Sequence, residues 1–226
     1  MPFFTGLTEA ERYAKSRPFF HPLAIARAKE AAHIGELIPL ALDVACGTGH
    51  STAALLSIAE RVIGIDISFN MLANARSDER IRYVQAQAES IPIHSGVVPI
   101  VTTALAFHWF HRKQFLSEVR RILSDGGLLL VYNNGFTGIM REDPAFRKWS
   151  YEVYPEWFPT PPRDSHPLTS KEASGSGFVL IEAERYENEV HFSPETLVAY
   201  LTTQTNVVVA IEQGRESIES ASQWLP

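Results

Sequence analysis

The chain has 226 residues, 45% of them apolar and 20% charged, with a net charge of -6; this is the profile of one soluble globular domain with a well-buried core. The acidic balance gives no general attraction to nucleic acid or an anionic membrane. No apolar run reaches bilayer length, and the opening MPFFTGLTEAER lacks the basic-then-apolar order of a secretion signal. Cys46 is the single cysteine, so no intrachain disulfide forms, which fits a reducing cytoplasm.

In chain order, residues 7–38 read as helical, with Ile25, Ala28, Ala32 and Leu37 near a helical period, and Pro39 ends them. Residues 40–45, LALDVA, form a short apolar run of buried-strand length. An amphipathic helix follows over 51–59, a second strand over 61–66, and a helix over 68–77 with Ser68 as its N-cap. Strands are predicted at 81–86, 97–107 and 128–134. The last two are separated by a helix over 112–124 that Asp125-Gly126-Gly127 should stop. Strands alternating with helices at short spacing predict right-handed crossovers and a Rossmann-like, mostly parallel twisted sheet with helices on both faces.

From 135 to 176 the rhythm breaks into a segment rich in aromatic residues and proline. Its aromatics Phe146, Trp149, Tyr151, Tyr154, Trp157 and Phe158 predict either a satellite core or a cover over a substrate. Residues 178–192 then read as a sixth strand. Ser193-Pro194 starts a capped helix, and 216–225 reads as the last helix. The expected organisation is one domain over 1–226: a helical cap at 1–38, a cofactor-binding core at 39–134, an insertion over the acceptor at 135–176, and a C-terminal strand and helices at 177–226.

The stretch LDVACGTGH, residues 42–50, carries the functional signal. A strand running into glycines and then a helix is where open parallel sheets bind ligands. Gly47 and Gly49 allow close backbone approach, and the N–H groups that open the next helix favour an electron-rich group. Asp66 ends the second strand, where a carboxylate can accept both hydroxyls of a ribose. The pair predicts a nucleoside-containing cofactor. A nicotinamide fingerprint needs a third glycine where Thr52 stands, and a pyrophosphate would be repelled by Asp43. A ligand bearing an ammonium and a sulfonium suits Asp43 better. The acid then either orients the turn or meets the ammonium through water.

With GIDIS and AES-IP, LDVACGTG resembles the class I S-adenosylmethionine-dependent methyltransferases, whose D/E-x-G-x-G-x-G pattern reads here as Asp43, Ala45, Gly47 and Gly49. The stretch TTALAFHWFHRKQFLSEVRRILSDGG and the lead RYAKSRPFF look like the branch containing trans-aconitate methyltransferase-like proteins. The resemblance implies S-adenosyl-L-methionine as cofactor, no metal, and a small-molecule acceptor, with a carboxylic acid favoured. It places Ile67, Met71, Gln87, Ala88 and Glu89 at the cofactor, with Tyr13 and Arg17 closing over it. His108, after the fourth strand, is the candidate base should the acceptor be a phenol or an amine. No partner is implied beyond a monomer or homodimer.

The departures are Ala45 for the first glycine, Gln87 for an acid, and Pro99 at the fourth strand, where it should sit at the strand's start. They keep open a non-catalytic binding protein of the same fold, and a nicotinamide oxidoreductase as a more distant alternative. Members of this class close the sheet with an antiparallel strand. NVVVAI, the one remaining apolar run, reads as a connector. Six strands are therefore expected, with the final antiparallel strand missing.

Overall fold

The computed structural model describes residues 6–224. Five strands, all parallel, form one sheet in the order β3-β2-β1-β4-β5. They are β1 (Ala41–Val44), β2 (Val62–Asp66), β3 (Ile81–Gln85), β4 (Val98–Ala104) and β5 (Leu123–Tyr132). Chain order reverses at β1, so β1 and β4 diverge at the switch point where a ligand fits.

Alternate residues of each strand feed two cores. On one face Leu42, Val44, Val98 and Val101 pack with Phe115, Leu116, Val119 and Ile122 of α5 (Arg112–Ile122). On the other, Ala41, Val62, Ile81 and Ile100 pack with Leu55 of α3 (His50–Leu55) and Ile25 of α2 (His21–Ala31). The apolar stripe of α5 is fully buried, so Phe115→Ala should cost roughly 3–5 kcal/mol.

The N-terminal helical stretch is two helices, α1 (Leu7–Ser16) and α2, rather than one. The break falls at Arg17-Pro18, because proline disfavours helical backbone at the residue before it. The short helix α4 (Phe69–Ala73) carries its expected cap, with the Ser68 hydroxyl accepting from the Met71 N–H at 3.3 Å. Asp125-Gly126-Gly127 does not separate helix from strand. β5 begins at Leu123, and the glycines form a bulge. The register with β4 slips from Val98–Leu123 to Ile100–Leu128, and Pro99 sits at the slip, where no ladder N–H is needed.

The expected sixth strand is corrected. Residues 178–192 make no ladder, so among the described residues the sheet has five strands and the outer edge of β5 is unpaired. The alternation that suggested a strand is real, but Val179 is 87% exposed and Ile181 66%, so no apolar face holds the segment in register. NVVVAI lies within helix α10 (Thr205–Glu212) and is no strand, as its context implied.

The aromatic segment folds into α6 (Ala145–Lys148), a wide turn over Trp149–Val153, and α7 (Tyr154–Trp157); α8 (Ser170–Gly175) follows. Phe146, Tyr154 and Phe158 build a second core with Leu197, Tyr200 and Leu201 of α9 (Pro194–Leu201), Val207 and Ala210 of α10, and Ala221 of α11 (Ile218–Trp224). Tyr151 and Trp157 are exposed. The predicted end of the last helix, Leu225, lies outside the described residues.

Candidate functional site

The turn after β1 is held from below by Asp43. This carboxylate is fully buried and accepts from Ser51 Oγ at 2.5 Å, Thr52 Oγ1 at 2.7 Å and Thr102 Oγ1 at 3.0 Å. Strand register puts Thr102 beside it, and α3 supplies the other two hydroxyls. Burial pushes Asp43 up to about 6, against the pull of these hydrogen bonds. These three hydroxyls tie the end of β1 to the start of α3 and to β4.

Ala45, Gly47 and Gly49 all have positive φ, at 57°, 54° and 76°. For Ala45 this is a strained conformation costing on the order of 1–2 kcal/mol, one its glycine counterpart would avoid. A Cβ on Gly47 would meet Met71 Cε at 3.0 Å. One on Gly49 would lie 2.1 Å from the Tyr83 hydroxyl and 3.2 Å from the Arg76 nitrogen. Gly49 is therefore demanded by β3 and the loop before it, and not only by a ligand.

Asp66 closes β2. Its Oδ2 accepts the Gly47 N–H and its Oδ1 the Ser68 N–H, each at 2.8 Å. Burial raises its pKa, opposed by these backbone donors. A carboxylate offers about four acceptor sites, so room for ribose hydroxyls remains. Beside it Ile67 is 48% exposed and Phe69 66%, and Met71 is buried beneath. Exposed apolar surface flanking an acid suits a nucleoside, so these residues fit the expected cofactor. Gln87 is exposed and Ala88 buried in the turn after β3. Glu89 Oε1 accepts the His111 N–H at 2.9 Å and ties that turn to the start of α5.

Tyr13, Arg17 and His108 come together on a cleft of about 390 Å³ between the ends of β4 and β5 and the helical cap, and the Arg17 charge also acts on His50, directly after Gly49. Leu105, Trp109, Asn133, Asn134, Arg163 and Gln204 line it too, and among the described residues no carboxylate does. Arg17 lies over the rings of Tyr13 and Tyr200, at 4.6 and 5.5 Å, and donates from Nη2 to the Thr203 carbonyl at 2.5 Å. Arg163 stands at the rim, 5.7 Å over Trp109. Arg112 pairs with Asp164 and Glu172 and so holds the loop that carries Arg163. Burial, then the charges of Arg163 and Arg112, push His108 down to about 4, so it is neutral near pH 7.

Sequence reasoning passed over His21, His50 and Tyr132, which gather at the glycine turn. The imidazoles stack at 6.3 Å and 9°, and His21 Nδ1 lies 2.9 Å from the Tyr132 hydroxyl. Burial lowers His21 to about 3 and His50 to about 4. The signal for His50 was its place directly after Gly49. Nothing local marks His21 or Tyr132. Among the described residues no acid, histidine or cysteine cluster is placed to hold a metal, and no helix is long and apolar enough to cross a membrane.

Residues 42–131 match the family described as "Methyltransferase domain". This stretch, from β1 to β5, is similar in sequence to a methyltransferase domain. A Saccharomyces cerevisiae protein named as a probable S-adenosylmethionine-dependent methyltransferase is 29% identical over 68% of this chain and 48% of its own length. A Dictyostelium discoideum protein named as a methyltransferase is 31% identical over 58% of this chain and 51% of its own length. A malonyl-[acyl-carrier protein] O-methyltransferase of Hamiltonella defensa is 31% identical over 50% of this chain and 45% of its own. The chain spans about half the length of the curated relatives it matches. A solved structure from Anaeromyxobacter dehalogenans, described as a type II methyltransferase, superposes with a TM-score of 0.62 at 22% identity, covering 88% of this chain and 85% of that one; it shows the same fold.

Proposed function

We propose that the protein transfers a methyl group to an oxygen of a small carboxylic acid. The observation that carries this reading is the lining of the cleft: two arginines, three side-chain amides besides Asn206, and, among the described residues, no acid. An anionic acceptor is attracted there and a cationic amine is not.

The cofactor, when bound, supplies a sulfonium methyl whose departure leaves a neutral thioether. Asp66, Ile67, Met71, Gln87 and the turn from Ala45 to Gly49 would hold it. What the chain contributes is alignment and exclusion of water, which can supply several kcal/mol. A carboxylate acceptor carries no proton at neutral pH, so no base is required. His108 agrees with this. With a pKa near 4 it is a weak base for a phenol or ammonium, but as a neutral imidazole it can donate a hydrogen bond to an acceptor oxygen. The relative named for O-methylation of a malonyl group points the same way, since a malonyl group carries a carboxylate.

The test is transfer of tritiated methyl from S-adenosylmethionine to a panel of small acids, phenols and amines. Base treatment that releases the label as methanol identifies a methyl ester. Base-stable label in a phenol or amine would reject the carboxylate, and heat-silent titration with S-adenosylhomocysteine would reject the enzyme.

A further inference from the structure

Arg17 and Gln204 meet from opposite ends of the sequence. Arg17 follows α1, and Gln204 is the N-cap of α10 in the tight turn after α9. The Arg17 Nη2 bond to the Thr203 carbonyl ties the two together, one residue short of Gln204. Both side chains line the cleft; Arg17 Nε is a buried donor without a hydrogen-bond partner among the described residues, and the Gln204 side chain reaches the hydroxyl of Tyr200, whose ring also faces the Arg17 guanidinium.

Leaving a neutral donor unmet costs about 1–3 kcal/mol, and more on a charged group such as Arg17. The neighbouring Asn206 shows the contrast. Its Oδ1 accepts from the Tyr154 hydroxyl at 3.1 Å and its Nδ2 donates to the Phe158 carbonyl at 2.8 Å, so it serves the second core alone. Arg17 donates to a carbonyl and lies against two aromatic rings, and among the described residues it forms no ion pair with an acid. An orphaned cationic donor beside a side-chain amide, in a cavity that no carboxylate lines among the described residues, needs an acceptor-rich, anionic occupant.

We propose that Arg17 and Gln204 bracket the acceptor's carboxylate, making the turn between α9 and α10 the element that sets acceptor specificity. This rests on the carboxylate reading above. It moves Arg17 from the cofactor to the acceptor and assigns a role to Gln204, which no motif marks. A guanidinium and an amide both donate in a plane, as carboxylate oxygens require, and the amide rejects an ammonium-bearing acceptor only weakly. The arginine therefore supplies charge selection and the glutamine orientation.

The experiment uses the full chain saturated with S-adenosylhomocysteine. The Gln204 side-chain amide resonance, assigned by its loss in Gln204→Leu, is followed by NMR during titration with benzoate and succinate, then with benzamide and succinamide. The acids should shift it and the amides should not. Arg17→Gln should abolish the shift while leaving S-adenosylhomocysteine affinity within about threefold, and Arg17→Lys should restore part of it. For any acid that turns over, Gln204→Leu should raise KM about ten- to a hundredfold with kcat nearly unchanged. No shift with either acid, or a loss of cofactor affinity in Arg17→Gln with the acid-induced shift retained, overturns the bracket. A shift by acids without methyl ester formation keeps the bracket and rejects the carboxyl-methylation reading.

Discussion

The carboxylate of Asp66 accepts the backbone N–H of Gly47 at 2.8 Å, so the acid that ends β2 also fixes the turn that ends β1. Removing it should act on binding and on folding together. Asp66→Ala is expected to weaken S-adenosylhomocysteine by about 1.5–3 kcal/mol and to lower Tm as well, because Gly47 and Ser68 both lose an acceptor. Calorimetric titration and thermal melts check the two effects. Unchanged affinity would remove Asp66 from the cofactor site.

Gly49 should behave differently from a glycine that only makes room for a ligand. Its φ of 76° and the Tyr83 hydroxyl 2.1 Å from an added Cβ make Gly49→Ala a stability mutation, costing on the order of 2–4 kcal/mol. The Tyr83 hydroxyl also donates to the Arg76 carbonyl at 2.8 Å, so the ring cannot retreat freely. Tyr83→Ala in the same chain should recover part of the loss by relieving the clash, and strict additivity in denaturant melts would rule the clash out.

These two glycines show what a sequence can and cannot disclose. Asp43, Gly47, Gly49 and Asp66 were legible because strand, turn, helix and acid lie close in the chain and their periods agree. Their tasks were not, because Ser51, Thr52 and Thr102 compete for Asp43, and Tyr83 reaches Gly49 from another strand. Residues 178–192 have the alternation of a strand, yet pairing depends on a buried face that only tertiary packing provides. The cleft was the least legible. Arg17, His108, Arg163 and Gln204 come from four separate segments, and the long aromatic insertion has no period that predicts which rings turn inward. Phe146 and Phe158 joined a core, while Tyr151 reached the cleft.

The stacked imidazoles of His21 and His50 predict acid sensitivity. Each folded pKa lies below the usual 6.5, at about 3 and about 4, so the unfolded chain binds more protons between those values and 6.5. Stability therefore falls as pH drops from about 6.5 towards 4, by on the order of a few kcal/mol. Asp43, raised to about 6, and Asp66, also raised, oppose the trend, since their neutral forms are favoured in the fold, while His108, lowered to about 4, adds to it. Melts at pH 7 and pH 5 should show a clear loss of Tm in the wild type and a smaller one in His50→Gln. Equal losses would mean that His50 is not held neutral.

His108 decides between acceptor classes. Burial beside Arg163 and Arg112 keeps it neutral down to about pH 4, and a base that weak gains little by taking a proton from a phenol or an ammonium. If the acceptor is a carboxylate, His108→Gln should lower kcat by less than about tenfold, because an amide can replace a neutral imidazole as a donor. The kcat/KM profile should then show no limb between pH 6 and 8, since neither His108 nor a carboxylate titrates there. A drop of about 10²–10⁴, with a rate that falls as pH decreases through neutrality, is the signature of general-base catalysis. That result would require the imidazole to recover a higher pKa once the acceptor is bound, and it would transfer the reaction from a carboxylate to an acceptor that must lose a proton.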